Sequence, residues 1–399
     1  MADCVENIQW LTSDDATAHL DQAFNCPDPL VLAKKLRKSL SPDRVRLVLE
    51  QADLRRRARA KFTDADLLFF TRRGLEQASD TLVARYKANR LSRFSRVADL
   101  CCGIGGDLIE IARLTSVVGV DLDETTCALA DANCQQLELS FATVRRDDAR
   151  QVDVREYDAW HIDPDRRPGG VRTVSLQGMT PNSHAIRAAL RQNPNGAIKL
   201  APACRLEEDW LREAELQWIG HGQSVQQLVA WFGKLTGMPG CRIATVICKG
   251  RKMSSLLGTE FPPFELAPRI KQFVFEPHPA VLAAGLASDL AMIYQLEAII
   301  PQGGYLTSDK SIKTPLLSTF RVVDVVPFRE KSLRSLLTSL SVGEVELKQR
   351  GVKIDMNLWR KKLSGRGSQR LSVLVTRRQR AMIAIVAERL FTTVNTDDS

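Results

Sequence analysis

The run VADLCCGIGGD, from Val97 to Asp107, restricts the fold more than any other stretch of this chain. An apolar segment carries a carboxylate, Asp99, and passes at once into a turn built on Gly103, Gly105 and Gly106. A second apolar segment, VVGVDLD from Val117 to Asp123, follows and ends in carboxylates of its own. Short strands that are apolar throughout are buried on both faces, as in a parallel sheet. Glycines between them let the backbone approach a ligand closely and adopt positive φ. The pattern predicts an α/β sheet with a nucleotide-type ligand at the strand ends.

Strand–helix units continue the pattern. Strands are expected at Ser140 to Val144, Tyr157 to Ile162 and Gly196 to Leu200, with helices over about Gly106 to Leu114 and Thr125 to Asn133. Two later strands, Ser224 to Phe232 and Cys241 to Cys248, read as an antiparallel pair joined by GKLTGMPG. Before the sheet the chain reads as helical. One helix starts at Pro42, and another spans Leu75 to Leu91 on an apolar face of Leu75, Ala78, Leu82 and Tyr86. After the sheet, Arg251 to Pro268 reads as a linker and Pro279 to about Ile299 as a helical run, ahead of mixed short elements. Three domains are therefore expected: a helical one over 1–95, forming a cap on the substrate side; an α/β one over 96–250; and a linker with a small basic α+β domain over 251–399.

Hydrophobic residues make up 44% of the 399 positions, enough for real cores. No apolar run approaches the roughly 20 residues needed to cross a bilayer, so no membrane partner is expected. The acidic start MADCVEN does not read as a secretory signal. Nine cysteines show neither CxxC spacing nor a His/Cys cluster, which predicts no metal and no disulfide framework, and a reducing cytoplasm. The net charge of +9 is concentrated. Region 55–96 holds twelve basic residues against four acidic, and region 348–380 holds eleven against Asp355 alone. Such regions attract a polyanion, and charge by itself does not separate RNA from DNA.

The loop chemistry narrows the ligand. A dinucleotide fingerprint wants GxGxxG under a pyrophosphate, whereas here GIGGDL puts Leu108 at the third glycine and Asp107 near the helix start. An anion there opposes a pyrophosphate. S-adenosylmethionine (SAM) has no phosphate, and its ammonium and sulfonium are cationic. Asp99 is placed for the methionine moiety, and Asp121, eighteen positions beyond Gly103, for the ribose hydroxyls. Asp123 is a second ribose candidate. Asp148 is placed for the adenine amine, with Ala149 supplying backbone groups, and Cys101 belongs to the same loop as Gly103, Gly105 and Gly106.

These residues resemble the class I SAM-dependent methyltransferases. DLCCGIGGD is similar to the glycine loop of the RNA cap trimethylguanosine synthases, and the chain as a whole resembles bacterial methyltransferases with a THUMP-like C-terminal domain. That family's DPxRR motif stands here as Asp163, Pro164, Asp165, Arg166 and Arg167, and VELKQRG (Val345 to Gly351) and LWRKKL (Leu358 to Leu363) fit its last domain. The resemblance implies a central Rossmann-like seven-stranded sheet. Asp163 and Pro164 match the first half of the pattern used by enzymes that methylate base amines, while Asp165 and Arg166 depart from the proline and aromatic of its second half. Asp163 is expected to orient the acceptor, and Arg166 and Arg167 to hold a substrate phosphate or pair with Asp163 or Asp165. The function expected is SAM-dependent methylation of structured RNA, ribosomal or transfer, at a base nitrogen. A protein or small-molecule methyltransferase, and an inactive RNA- or protein-binding module, are the alternatives.

Overall fold

The computed structural model describes residues 5–26, 28–166, 173–248, 252–258, 262–301 and 303–391. It separates into two units, Met1–Glu215 with Val229–Pro239, and Leu216–Leu228 with Gly240–Ser399.

The first unit begins with six helices: α1 (Val5–Leu11), α2 (Asp14–Asn25), α3 (Pro29–Leu36), α4 (Pro42–Ala58), α5 (Arg72–Gln77) and α6 (Thr81–Leu91). Five parallel strands follow, β1 (Arg96–Leu100), β2 (Ser116–Asp121), β3 (Ala142–Arg146), β4 (Ala159–Ile162) and β5 (Gly196–Leu200), with α7 (Leu108–Ala112) and α8 (Glu124–Gln136) in the first two crossovers. Every residue of β4 and β5 is buried, as expected of strands covered on both faces. The larger sheet has the order β3-β2-β1-β4-β5-β7-β6-β8-β9, where β6 is Glu215–His221, β7 Ser224–Trp231, β8 Arg242–Ile247 and β9 Met253–Gly258. The order reverses between β1 and β4, and a crevice for ligand opens beyond the carboxyl ends of strands at such a point. In the β1–β4 register Asp99 stands opposite His161, so two polar groups meet inside an otherwise apolar layer.

The helical segment is stitched to the sheet by side-chain amides. Asn133 of α8 accepts from the Phe69 N–H at 2.7 Å and donates to the carbonyls of Phe69 (3.1 Å) and Ile104 (2.9 Å). Gln51 of α4 makes the same two-way exchange with Phe70. Phe69 and Phe70 are core, 3% and 1% exposed.

Several expectations need correction. The helix expected over Leu75 to Leu91 is two helices, because Asp80 accepts from Leu82 N–H at 2.9 Å and starts α6 afresh. The buried face of α6 is Val83, Ala84, Lys87, Ala88 and Leu91, rather than the stripe through Leu82 and Tyr86. The strand Cys241 to Cys248 does not pair with Ser224 to Phe232. Instead β8 runs parallel to β6, and β7 lies between β5 and β6. β6 went unseen because buried Glu215 and Gln217 break its apolar pattern; Glu215 is neutralised by Arg90 at 2.5 Å, and Gln217 donates to Thr245 at 2.8 Å. The seven expected strands stand as β1–β5, β7 and β8, and the sheet is extended to nine by β6 and by β9, which lies within the stretch read as a linker.

The second unit carries a seven-stranded sheet ordered β11-β12-β10-β13-β16-β15-β14: β10 (Phe273–Pro277), β11 (Glu297–Ala298), β12 (Leu306–Ser308), β13 (Leu317–Pro327), β14 (Val342–Gln349), β15 (Gln369–Arg378) and β16 (Ala381–Phe391). The run expected to be one helix from Pro279 is α11 (Pro279–Ala284) and α12 (Ala287–Tyr294), parted where Gly285 takes φ +75°. Two further helices, α13 (Glu330–Ser339) and α14 (Met356–Leu363), place Leu333, Leu337 and Leu363 in one apolar cluster with Val345, Leu347, Val373 and Val375.

Candidate functional site

After β1 the backbone turns through left-handed conformations at Cys101 (φ +57°), Gly103 (φ +58°) and Gly105 (φ +92°). At Gly103 a side chain would meet nothing within 4 Å, so the glycine keeps space open beside the turn. At Gly106 a Cβ would lie 3.0 Å from Ala78 and 3.2 Å from the Ser79 nitrogen, so this glycine lets segment 74–79 come close. Asp121, at the end of β2, braces the turn: its carboxylate accepts from Gly103 N–H at 3.0 Å and from Asp123 N–H at 3.1 Å.

Beneath the turn runs a buried polar chain. Lys87 of α6, 1% exposed, pairs with Asp107 at 2.7 Å and lies 3.2 Å from His161 Nε2. Ser79 donates to the other Asp107 oxygen at 2.7 Å. His161 Nδ1 lies 2.6 Å from Asp99 Oδ1. Burial pushes Lys87 below the ordinary lysine value. Burial also opposes the charge of Asp107, but Lys87, His161 and Lys199 outweigh it and hold that carboxyl well below the usual range. Asp99 is raised by burial, which its contact with His161 only partly offsets. The second oxygen of Asp99, Oδ2, is buried and has no hydrogen-bond partner among the described residues. A buried carboxylate oxygen in that condition costs about 1–3 kcal/mol or more unless a ligand donates to it. Lys87 neutralises Asp107 locally, so this carboxylate repels a pyrophosphate less than its position in the sequence implies.

A cavity of about 890 Å³ opens above this chain, wholly within the first unit. It brings together Asp99, Cys101, Gly103, Gly106, Asp121, Asp123, Asp148, Ala149, Asp163, Pro164 and Arg166, of the residues expected at the site. Gly105 shapes the turn without lining the cavity, and Arg167 lies outside the described residues. Several of these carboxylates already have partners. Asp123 caps α8 by accepting from Thr126 N–H at 2.7 Å, and both oxygens of Asp148 are gripped by Arg150 at 2.5–3.0 Å. Asp163 Oδ2 accepts from Lys199 of β5 at 2.5 Å. Asp165 is tied to Arg73 at 2.9 Å, and its backbone bridges to Thr180.

Sequence reasoning missed the wall formed by Gly74, Glu76, Gln77, Ala78 and Ser79, and the part played by Lys87. Buried lysine on an amphipathic helix carries no local signature, because its partners come from distant segments. Burial pushes the Cys101 and Cys102 thiols well above their ordinary values, so neither is a thiolate near neutral pH. Among the described residues, no His/Cys/Asp/Glu group is arranged to hold a metal, and no helix is long and apolar enough to cross a membrane.

The basic regions differ. In 55–96, Arg57, Arg59, Arg72, Arg73, Arg85, Lys87 and Arg90 sit in ion pairs, and Arg55 and Lys61 donate to backbone carbonyls. In 348–380, Lys353, Arg360, Lys361, Arg366, Arg377 and Arg380 are exposed, and none has an ion pair among the described residues.

The buried pair predicts its own loss. Lys87→Met leaves Asp107 uncompensated and should cost about 3–5 kcal/mol at pH 7 in chemical denaturation. Because the folded pKa of Asp107 is held below its unfolded value of about 3.9, the stability it contributes is complete above that value and drains away as pH falls below it. The gap between wild type and variant should therefore narrow between pH 7 and pH 3, and an unchanged gap would contradict the pairing.

Residues 94–145 match the family model described as RNA cap guanine-N2 methyltransferase, residues 317–389 the THUMP domain-like model, and residues 3–58 a domain of unknown function. The crystal structure of a Porphyromonas gingivalis W83 protein, classed with the methyltransferases, superposes at a TM-score of 0.77 over 97% of this chain and 99% of its own, at 18% identity, a likeness of fold. Two uncharacterized SAM-dependent methyltransferases of Mycobacterium tuberculosis, from strains CDC 1551 / Oshkosh and H37Rv, are each 30% identical over 345 residues. Those alignments span 84% of this chain and 93% of the relatives. With the glycine turn and the strand order, this degree of identity settles membership: the chain belongs to the family of these SAM-dependent methyltransferases.

Proposed function

We propose that this protein transfers the methyl group of SAM to structured RNA, ribosomal or transfer, at a base nitrogen. The observation that carries the donor half is on Asp99, a residue that lines the cavity and whose buried Oδ2 has no hydrogen-bond partner among the described residues. The residues fit SAM: Asp99 would accept from its ammonium, Asp121 from its ribose hydroxyls, and the space beside Gly103 would admit its backbone-hugging portion. Asp123 and Asp148 would add negative potential while keeping their contacts to Thr126 and Arg150, leaving the adenine to backbone groups near Ala149. When bound, SAM supplies an electrophilic methyl on a sulfonium.

On the acceptor side, Asp163 and Pro164 line the cavity, and Asp163 would receive a hydrogen bond from the nucleophile and align it. Arg166 is the phosphate-holding candidate, and Arg167 is proposed for the same task from its sequence position. High thiol pKa values at Cys101 and Cys102 disfavour a thiolate nucleophile, which agrees with direct transfer to nitrogen. The RNA half rests on the matches to the RNA cap guanine-N2 methyltransferase and THUMP-like models and on the unpaired cations of 348–380. Because most of region 55–96 is internally paired, the second basic region would carry most of the phosphate contact. The cytoplasm is the compartment in which such a substrate would be met.

Calorimetry tests the donor half. Asp99→Asn should weaken SAM binding about 10- to 100-fold. In wild type, affinity should fall as acid protonates Asp99 and Asp121, both of which burial raises above the ordinary aspartate value. Unchanged affinity in the variant would remove Asp99 from the donor site. Incubation with radiolabelled SAM and total cell extract tests the acceptor half. Label should enter the RNA fraction and diminish steeply with added salt. Label confined to protein or to small molecules would overturn the RNA reading.

A further inference from the structure

Three lysines from three different elements converge on one short segment. Lys61, between α4 and α5, donates to the carbonyls of Leu75 at 2.7 Å and Glu76 at 3.2 Å. Lys199, on β5, donates to the carbonyl of Gln77 at 3.4 Å, and Lys87 reaches Ser79 at 3.4 Å. The segment they hold forms one wall of the cavity. Two of the same lysines also bind the carboxylates of the cavity's other walls, Lys87 that of Asp107 in the glycine turn and Lys199 that of Asp163 at the end of β4.

Lys199 stands out because it is buried, at 6% exposure, between Ile198 and Leu200 on a strand that is otherwise apolar. A buried ion pair is seldom the most stabilising choice for such a place, where apolar residues of similar volume do as well or better. Its partner Asp163 is still partly exposed to the cavity and has only one oxygen engaged; Oδ1 has no hydrogen-bond partner among the described residues.

We propose that Lys199 is the positioning residue of the acceptor side: it fixes Oδ2 of Asp163 against the Gln77 wall, so that Oδ1 alone is presented to the incoming acceptor. The inference rests on the acceptor role proposed for Asp163. A carboxylate held by one oxygen loses the rotation that would otherwise blur its aim, and alignment of this kind is where methyl transfer gains rate. Electrostatics agree with the geometry. Burial opposes the charge of Lys199, but Asp163 and then Asp107 outweigh it and raise its pKa. Burial and the Lys199 charge push Lys61 down to about 8. Of the two neighbours, Lys61 gives up its proton first, and the ammonium on Asp163 persists.

The test uses the full chain and four variants: Lys199→Met, Lys199→Gln, Lys199→Arg and Asp163→Asn, with Lys199→Met also combined with Asp163→Asn. SAM affinity by calorimetry should stay within about twofold of wild type in the lysine variants. The initial rate of transfer from radiolabelled SAM, at saturating SAM, should drop about 100-fold in Lys199→Met and Lys199→Gln. Lys199→Arg should recover most of it. In the Asp163→Asn background, Lys199→Met should change the rate by less than about twofold. Wild-type rates in both neutral variants, or an undiminished further loss in the Asp163→Asn background, would overturn the proposal. Should Lys199→Met fail to fold, Lys199→Gln decides by the same criteria. Failure of the RNA reading is separable, since the rates are measured on whichever extract fraction wild type labels. If no fraction is labelled, crystal structures decide: an Asp163 carboxylate displaced in Lys199→Gln supports the proposal, and one unmoved overturns it.

Discussion

The contact on which the site depends is the 2.7 Å ion pair between Lys87 and Asp107, closed off from solvent under the glycine turn. An ammonium in that position is expensive unless its charge and all its donors are answered. Asp107, Ser79 and His161 answer them, and each belongs to a different part of the first unit. His161 in turn fixes one oxygen of Asp99 and leaves the other bare. The chain of polar contacts thus begins in the helical segment and ends, among the described residues, at an unpartnered oxygen of a residue that lines the cavity. In the proposed reading, the ammonium of SAM would complete it, and cofactor affinity would then depend on the packing of α6.

This arrangement makes the helices ahead of β1 part of the site rather than an appendage to it. Through Asn133 and Gln51 the segment before α5 is bound to the glycine turn and to α4 by paired amide contacts. Through Lys61, Lys87 and Lys199 the segment after α5 is pressed into the cavity wall. The absence of a side chain at Gly106 is what permits that approach, since a Cβ there would lie only 3.0 Å from the Ala78 side chain.

The legible and illegible parts of the sequence divide along physical lines. Strands buried on both faces, such as Gly196–Leu200, are apolar runs broken by at most a single polar residue, here Lys199, and were recognisable at once. So was the turn after Asp99, because glycine is the residue that tolerates its left-handed backbone. β6 was invisible because Glu215 and Gln217 interrupt its pattern, and both are paid for by partners remote in sequence. The split between α5 and α6 turned on a single capping carboxylate, Asp80. At the site, the carboxylates could be named but not sorted. That Asp123 caps a helix and Asp148 grips Arg150, while Asp99 keeps a bare oxygen, depends on contacts no spacing rule encodes. The basic regions looked alike for the same reason: one spends its charge internally, the other leaves six cations exposed without an ion pair among the described residues.

The most direct test of the account is a crystal structure of the protein with S-adenosylhomocysteine, the product that retains the amino group and ribose of the donor. The ligand amino group should donate to Asp99 Oδ2 while His161 keeps its hold on Oδ1, and the ribose hydroxyls should meet Asp121. A ligand seated elsewhere in the cavity, with Asp99 Oδ2 still unpartnered, would contradict it.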